Sequence, residues 1–286
     1  MRSRSGPRYP VAGKAAVVTG AASGIGRALA VELARRGARL AVSDVDLPGL
    51  AATVGLVQQA GAEVHSARVD VRDRLAVAAY ADEVAAHFGQ VHQVYNNAGI
   101  ALSRSLLDSD WEDYDRVLGV NLYGVLHGTK AFLPHLVASG DGHVVNVSSL
   151  NGYVAQALMS HYCTSKFAVR GFTESLRAEV ASQGLPVRVT VVHPGGVRTA
   201  IARSAREQAR ERGRLTDEEE ARSRLYEQRL LRMDPAQAAR IVVDGVEQGR
   251  PRILVGKDAA LADLLVRLLP VGYQGVIAAL QRRVVP

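Results

Sequence analysis

Short valine-rich runs alternate with longer helical patterns along most of this chain, and this alternation constrains the fold more than any other feature. The run Val187-Arg-Val-Thr-Val-Val192 is apolar enough for a strand inside a sheet. Strands separated by helices pair in parallel, because each helix returns the chain across one face of the sheet. The pattern predicts an α/β fold with one doubly wound, parallel, seven-stranded sheet. The predicted strands are residues 15–19, 39–43, 63–69, 93–95, 143–147, 187–193 and 252–255.

Length and composition favour one domain in a reducing compartment. With 286 residues, 48% of them hydrophobic, the chain can bury one substantial core. Its single cysteine, Cys163, excludes an intrachain disulfide and a Cys/His zinc cluster, so no metal is predicted. Residues 1–10 lack the apolar core of a secretory signal, and no run of 18 apolar residues occurs. We therefore expect a cytoplasmic protein without an integral membrane segment.

The positive charge lies at the two ends of the chain. Of the formal net charge of +7, residues 1–8 contribute +3 and residues 250–286 contribute +4, which leaves the body neutral. Basic ends of this kind are usually solvated tails, and aromatic residues are too few, at 5%, for a base-stacking platform. No nucleic-acid partner is expected. We predict a basic tail at 1–11, one catalytic domain at 12–256 and a helical extension at 257–286.

Two segments depart from the strand and helix alternation. Residues 200–234 are rich in Arg and Glu and follow a predicted strand, so they form either a solvated helical face or a helical lid over a substrate. In the extension, apolar residues recur at helical spacing, with a break near Pro270 and Gly272. This spacing favours packing on the body or on a second subunit over membrane binding.

A glycine-rich turn joins the first predicted strand to a helix predicted at 27–36. Glycines in the turn Thr19-Gly-Ala-Ala-Ser-Gly-Ile-Gly26 let the backbone turn tightly and bring a pyrophosphate to the helix N-terminus. Asp44 follows the second strand, where its carboxylate can accept hydrogen bonds from both ribose hydroxyls of NAD. A 2′-phosphate would be repelled there, by roughly 4 kcal/mol at about 4 Å and a dielectric of about 20. NAD is therefore expected rather than NADP, although Asp44 could instead cap the turn before Leu47.

Tyr162 and Lys166 are four residues apart, which places a phenol and an ammonium on one helical face. Bringing the tyrosine pKa from about 10 to neutrality requires about 4 kcal/mol. A positive charge about 4 Å away supplies roughly that amount at an effective dielectric of about 20. In a buried cleft the pair can act as an acid–base catalyst; on a surface it would be a tyrosine beside a solvated lysine.

With these motifs in order, the chain resembles the short-chain dehydrogenase/reductase family, single-domain branch, over about residues 12–256. The resemblance also includes Asp70-Val71, the run Asn96-Asn-Ala-Gly99, Asn121, Ser149 and Pro194-Gly195. It implies a Rossmann domain that transfers a hydride between NAD and a secondary alcohol or ketone. Two positions differ from the family pattern: Tyr95 replaces an aliphatic residue, and His193 replaces an asparagine and is expected to be a structural hydrogen-bonding residue.

The resemblance assigns a role to each catalytic residue. Tyr162 would be the general acid or base, and Lys166 would lower its pKa and hold the nicotinamide ribose. Ser149 would orient the substrate oxygen, and Asn121 would position a proton-relay water. Asn121 could instead be a helix-packing polar residue, Ser149 could be a turn residue at a strand end, and Asn96 and Asn97 could simply satisfy loop backbone.

The resemblance also assigns the remaining site residues. The implied cofactor contacts are Gly20, Ser23, Gly24, Ile25, Gly26, Asp44, Asp70, Val71, Asn97, Ala98, Gly99, Tyr162, Lys166, Pro194, Gly195, Val197 and Thr199. The predicted substrate lining, Leu150, Asn151, Tyr153, Leu158 and Met159, is mostly apolar and suggests a hydrophobic small-molecule substrate. A homodimer or homotetramer is implied. The alternative function is an NAD-binding redox sensor without turnover.

Overall fold

Seven short segments form one sheet in the computed structural model, which describes residues 9–199, 224–225 and 230–284. The strands are β1 (Ala15–Thr19), β2 (Arg39–Asp44), β3 (Val64–Arg68), β4 (Gln93–Asn96), β5 (Gly142–Val147), β6 (Val187–Pro194) and β7 (Arg252–Val255). All six pairings are parallel, in the order β3-β2-β1-β4-β5-β6-β7. The predicted doubly wound sheet is confirmed. Its strand order reverses between β1 and β4, where such sheets form a ligand crevice.

Helices cover both faces of the sheet. They are α1 (Gly24–Arg35), α2 (Leu47–Gln59), α3 (Arg74–Phe88), α4 (Trp111–Leu118), α5 (Gly124–Ala138), α6 (Ser160–Ser182), α7 (Pro235–Glu247), α8 (Lys257–Leu268) and α9 (Tyr273–Val284). One core joins the sheet to α1, α2 and α7, and the other joins it to α3, α5 and α6. Each fully buried Val or Leu in these cores contributes about 1.5–3 kcal/mol.

Several predicted boundaries are wrong by one to three residues. Strands β2, β4 and β6 continue through Asp44, Asn96 and Pro194, whereas β3 is shorter than predicted at both ends. Helix α1 begins at Gly24 rather than at residue 27, because the Arg27 N–H already bonds the Ser23 carbonyl at 3.1 Å. Gly24 and Gly26 thus belong to the first helical turn, whereas Gly20 lies before it.

Asn121 lies in a local widening of the backbone rather than on a regular helix. Residues Gly119–Tyr123 form a π-helical turn between α4 and α5. Such turns recur at functional sites because the wider ring turns a side chain away from the regular helical face. No residue pattern in the sequence signals this turn.

The predicted C-terminal helical extension is confirmed as α8 and α9, which are separated at residues 269–272. Tyr273 is buried against Tyr153 and Val154, so the extension packs on the body of the same chain. In the segment 200–234, residues 200–223 and 226–229 lie outside the described residues, so the lid remains a prediction. Within the described ranges, no helix has the length and apolarity to cross a membrane, and no three His, Cys, Asp or Glu residues cluster as metal ligands.

Candidate active site

The glycine-rich turn after β1 is held by the loop that follows β4. Thr19 Oγ1 accepts hydrogen bonds from the N–H groups of Asn97 (3.1 Å) and Ala98 (3.2 Å). In return, Asn97 Nδ2 donates to the carbonyls of Thr19 (3.0 Å) and Gly20 (3.2 Å). Gly20 has a φ of 66°, and a Cβ there would lie 2.6 Å from Ala98 Cα. The close approach of the two loops therefore requires glycine at this position.

Helix α1 begins without the side-chain cap that other helices at this edge possess. Its N-cap residue Ser23 makes no capping hydrogen bond, and its first turn contains no acidic residue. By contrast, Asp46, Asp73 and Asp234 cap α2, α3 and α7 through backbone N–H groups. The positive end of α1 thus lies at the sheet crevice with no carboxylate in its N-cap or first turn, which suits an anion. Ile25 lies in this turn, and Gly24 lies against Thr199.

Asp44 accepts hydrogen bonds from three backbone N–H groups near it. Oδ2 accepts from the Ala22 N–H at 2.9 Å, and Oδ1 accepts from Val45 at 2.7 Å and Asp46 at 3.1 Å. The turn-capping interpretation is therefore present in the structure. A carboxylate has about four acceptor directions, so Asp44 retains capacity for a further donor.

Asp70 is paired with a nearby cation. Arg72 Nη2 lies 2.6 Å from Asp70 Oδ2, and this hydrogen bond holds the pKa of Asp70 below its usual value. Val71, next in the chain, is buried, and its carbonyl lies 2.9 Å from His127 Nδ1. The predicted cofactor residues Asp70 and Val71 are thus ordered by Arg72 and His127, two residues that sequence reasoning did not single out.

Lys166 is a buried ammonium next to Tyr162. Its exposed fraction is 3%, and burial lowers its pKa to about 8. Nζ donates to the Val147 carbonyl at 3.0 Å and lies 5.7 Å from the centre of the half-buried Tyr162 ring. A Cβ at Gly99 would lie 3.5 Å from this nitrogen, so glycine there leaves room beside the ammonium. The structure thus brings the predicted pair together at the carboxyl end of β5.

Asn121 reaches the same cluster. Its Oδ1 accepts from the Ile100 N–H at 2.8 Å, and its Nδ2 donates to the Ile100 carbonyl (2.9 Å) and Ser165 Oγ (3.1 Å). A Cβ at Gly99 would lie 3.4 Å from Oδ1. The amide therefore secures the loop after β4 against the helix that carries Tyr162 and Lys166. A second lone pair on Oδ1 remains available as an acceptor.

The position of Ser149 is fixed by its place after β5 and by a hydrogen bond to its carbonyl. It follows β5, is 8% exposed, and accepts the Asn151 N–H on its hydroxyl at 3.1 Å. Its carbonyl lies 2.7 Å from Nδ1 of the fully buried His193, whose pKa burial lowers to about 4. A carbonyl can only accept, so Nδ1 carries the proton. His193 is thus the structural hydrogen-bonding residue expected from the sequence.

The predicted substrate-lining residues divide between the surface and the interior. Leu158 is 41% exposed and, among the described residues, is the non-glycine residue with a positive φ, 64°. Met159 is half-buried beside it. Asn151 and Tyr153 are buried, and Leu150 packs with Tyr153 against α8 and α9. Tyr153 therefore packs on the inner side of the segment 150–159, which we call the substrate wall.

A cavity that sequence reasoning missed lies between this wall and the C-terminal extension. It measures about 340 Å³ and is open to the surface. Its lining is mainly small and apolar, with two amide side chains: Ala155, Gln156, Ala157, Gln274, Ile277 and Ala278. The helical spacing of α9 predicted packing on the body but could not indicate which part of the body it would meet.

The loop after β6 carries the last predicted cofactor residues. The Gly195 N–H bonds the Val255 carbonyl at 2.9 Å, which extends the register of Pro194 with β7. Val197 is 5% exposed and pairs with Met233 in a parallel bridge. This loop is therefore held by the residues that precede α7 and by the end of β7.

Sequence comparison places the chain among the short-chain dehydrogenases. Residues 14–210 match the model of the short chain dehydrogenase family. "Putative oxidoreductase SadH" of Mycobacterium tuberculosis is 51% identical over 269 residues, covering 93% of this chain and 95% of that protein. Mouse "Epidermal retinol dehydrogenase 2" is 39% identical over 199 residues, covering 69% of this chain and 64% of that protein.

Solved structures agree with the sequence comparison. A short-chain dehydrogenase/reductase from Burkholderia phymatum, in complex with NAD, superposes with a TM-score of 0.83 at 34% identity, covering 93% of this chain and 96% of that one. Carveol dehydrogenase from Mycobacterium avium, in complex with NAD, gives a TM-score of 0.75 at 26% identity, covering 88% and 99%. The similarity extends over nearly the whole described fold.

Proposed function

The chain belongs to the short-chain dehydrogenase/reductase family, and on that premise we propose that it is an oxidoreductase that transfers a hydride between NAD(H) and a hydrophobic secondary alcohol or ketone. The observation that carries this proposal is the buried Lys166 ammonium beside Tyr162, at the same sheet edge as the uncapped α1. Both solved structures described above are complexes with NAD.

The crevice fits a dinucleotide. The uncapped first turn of α1 offers N–H donors and a positive dipole end to a pyrophosphate. Asp44 keeps acceptor capacity for one ribose hydroxyl, and its negative charge disfavours a 2′-phosphate. Along the chain, Asp44 is followed by Val45 and Asp46, neither of which is a cation, and its register partner on β3 is the exposed Arg68. We therefore propose NAD in preference to NADP.

Lys166 acts in two ways in this proposal. With a pKa of about 8, its side chain is mostly protonated at pH 7, so the positive charge favours the phenolate form of Tyr162. The ammonium has three N–H groups, of which one bonds the Val147 carbonyl. The other two supply donors for the nicotinamide ribose hydroxyls.

Tyr162 moves the proton of the reaction. Its phenol protonates the carbonyl oxygen in reduction and removes the alcohol proton in oxidation, while Ser149 Oγ donates a hydrogen bond to the same oxygen. The second lone pair of Asn121 Oδ1 holds a water that relays protons towards Lys166. The nicotinamide, when bound, supplies or accepts the hydride.

The walls near the site favour an apolar substrate. Leu150, Leu158 and Met159 are apolar, and the cavity under α9 adds alanine and isoleucine surface. The one nearby cation on the loop after β4, Arg104, is paired with Asp113 at 2.8 Å among the described residues. A neutral, hydrophobic alcohol or ketone therefore suits this environment better than a carboxylate.

The direct test is a screen of the purified protein against alcohols and ketones, followed by NADH absorbance. We expect NAD-linked oxidation of apolar secondary alcohols, with NADP turned over at least about tenfold less efficiently. Equal use of NADPH would overturn the cofactor assignment. Tight NADH binding with no turnover of any compound would favour the redox-sensor alternative.

We propose that the active species is a homodimer or homotetramer and works in the cytoplasm. Light scattering on the purified protein would give the mass of the assembly. A monomer at working concentration would contradict this part of the proposal.

A further inference from the structure

The first turn of α8 contacts the loop that follows β6. The Gly196 N–H donates to Asp258 Oδ2 at 2.5 Å. A Cβ at Gly195 would lie 2.3 Å from both carboxylate oxygens of Asp258, which are its nearest neighbours. A side chain at position 195 would therefore displace the Asp258 carboxylate from the Gly196 amide.

Gly196 is a junction within that loop. Its carbonyl accepts the N–H groups of Arg232 (3.0 Å) and Met233 (3.1 Å), and the Arg198 N–H bonds the Met233 carbonyl at 2.9 Å. Asp258 therefore fixes Gly196, and the hydrogen bonds of Gly196 fix the position of the described loop. A shift at Gly196 would displace Val197 and Thr199 together.

The same turn of α8 also reaches the segment that carries Ser149. Tyr153 Oη donates to the Ala259 carbonyl at 2.6 Å. The Tyr153 ring packs edge-on against His193, with 5.0 Å between ring centres, and His193 Nδ1 bonds the Ser149 carbonyl at 2.7 Å. Arg252 lies over the Tyr153 ring at 5.3 Å and pairs with Asp263 of α8 at 2.6 Å. The helix, the ring and the serine thus form one continuous set of contacts.

We propose that the first turn of α8 is a positioning element of the active site, in which Asp258 sets the loop 195–199 on the cofactor side and Tyr153 sets Ser149 on the substrate side. This inference rests on the proposed function. Asp258 and Tyr153 act through the groups that they hold, so the extension contributes to cofactor binding and to chemistry by two separable routes.

The cofactor route is tested with Asp258→Ala and Asp258→Asn. Removing the acceptor frees the Gly196 amide, so Asp258→Ala should weaken NADH binding about tenfold, measured by fluorescence titration. Amide hydrogen exchange at Gly196 should accelerate in the protein without cofactor. Asp258→Asn keeps an acceptor oxygen and should restore NADH binding to within about threefold of wild type.

The matched control is Asp141→Ala. This variant also removes a hydrogen-bonding carboxylate, here one paired with Lys14 and Arg188, but Asp141 lies at the opposite edge of the sheet. It should lower thermal stability without changing the NADH dissociation constant. An equal loss of NADH affinity in this control would show that Asp258 acts through general stability.

The substrate route is tested with Tyr153→Phe, which removes one hydroxyl and keeps the ring on His193. We expect kcat to fall about fivefold with the NADH dissociation constant unchanged, because the variant loosens Ser149 alone. Asp258→Ala should show the opposite division, with its main effect on NADH binding.

These outcomes separate the two hypotheses. If wild-type protein binds NADH and Asp258→Ala binds it equally well, the positioning role is wrong while the proposed function stands. If wild-type protein binds NADH but turns over no alcohol, the enzymatic function fails while the NADH titrations still decide the role of Asp258. If it binds no NADH, both fail.

Discussion

The reaction region and the substrate region of this site are built differently. We use the first name for residues 19–26, 96–99, 121, 149, 162, 166 and 195–199, and the second for residues 150–159, α8 and α9. In the reaction region, short motifs place polar groups at strand ends, where backbone and side chains hold them. In the substrate region, apolar walls depend on α8 and α9, whose first residue is 91 positions after Lys166. Chemistry is thus locally encoded, whereas the shape of the substrate wall is assembled from distant segments.

Helix N-termini at the crevice show the same contrast on a smaller scale. Asp46 and Asp73 cap α2 and α3. Such caps stabilise a helix by satisfying N–H groups of its first turn. Helix α1 lacks such a cap. Without a capping carboxylate, α1 is less stable in the protein that has no cofactor bound. The positive end of its dipole is then available to bind an anion.

The largest expected effect is a loss of kcat from a change in the reaction region alone. Tyr162→Phe removes the proton donor and should reduce kcat about 10³-fold, with NADH binding nearly unchanged. Single-turnover absorbance and fluorescence titration would measure the two quantities. Tyr80→Phe removes a phenol from the core at α3 and is the matched control. Retained turnover in Tyr162→Phe would refute the assigned mechanism.

The second effect concerns the buried charge of Lys166. Its folded pKa of about 8 is below the ordinary value of 10.5, so between these pH values the unfolded chain binds more protons. Stability should therefore rise with pH through this window, by about 3 kcal/mol from this group. Urea unfolding of wild type and Lys166→Met at pH 7.5 and pH 10 would measure the difference.

Exposed Lys130 provides the control for this charge. Lys130→Met should leave the pH dependence of the free energy of unfolding as it is in wild type. Parallel pH profiles for wild type and Lys166→Met would show that Lys166 is not buried as a charge.

A third change addresses the substrate region alone. Ala278→Phe narrows the cavity under α9, so the KM for a long ketone such as 2-decanone should rise about tenfold, while that for 2-butanone changes less than about twofold. Ala279→Phe, on the same helix and outside the cavity lining, is the control. Equal changes for both ketones would remove the cavity from the substrate path.

The smallest expected effect on stability tests the uncapped helix. Ser23→Asp should stabilise the protein without cofactor by about 0.5 kcal/mol, because it supplies the missing cap and charge. It should also weaken NADH binding, since the new carboxylate repels a pyrophosphate. Thermal unfolding with and without NADH would show the opposite signs. Tighter NADH binding would contradict the dipole argument.

Sequence reasoning predicted the strand positions well, because buried parallel strands are short apolar runs that differ clearly from the longer helical patterns between them. It missed the π-helical turn at Asn121, whose residues resemble those of any apolar helix. It also missed the buried polar contacts of Asn96, which donates to Thr129 (3.0 Å) and Asn146 (2.8 Å). Partners 33 and 50 residues away leave no local pattern to read.

The sequence alone determined the fold class, the glycine turn and the Tyr162–Lys166 pair, because periodicity, backbone freedom and one helical turn are local properties. Tertiary structure alone decided that Lys166 is buried, that Asp44 accepts the Ala22 N–H, and that α8 contacts both the loop after β6 and the Ser149 segment. Burial and long-range contact depend on which surfaces meet when the sheet is covered. These properties therefore exist only in the folded chain.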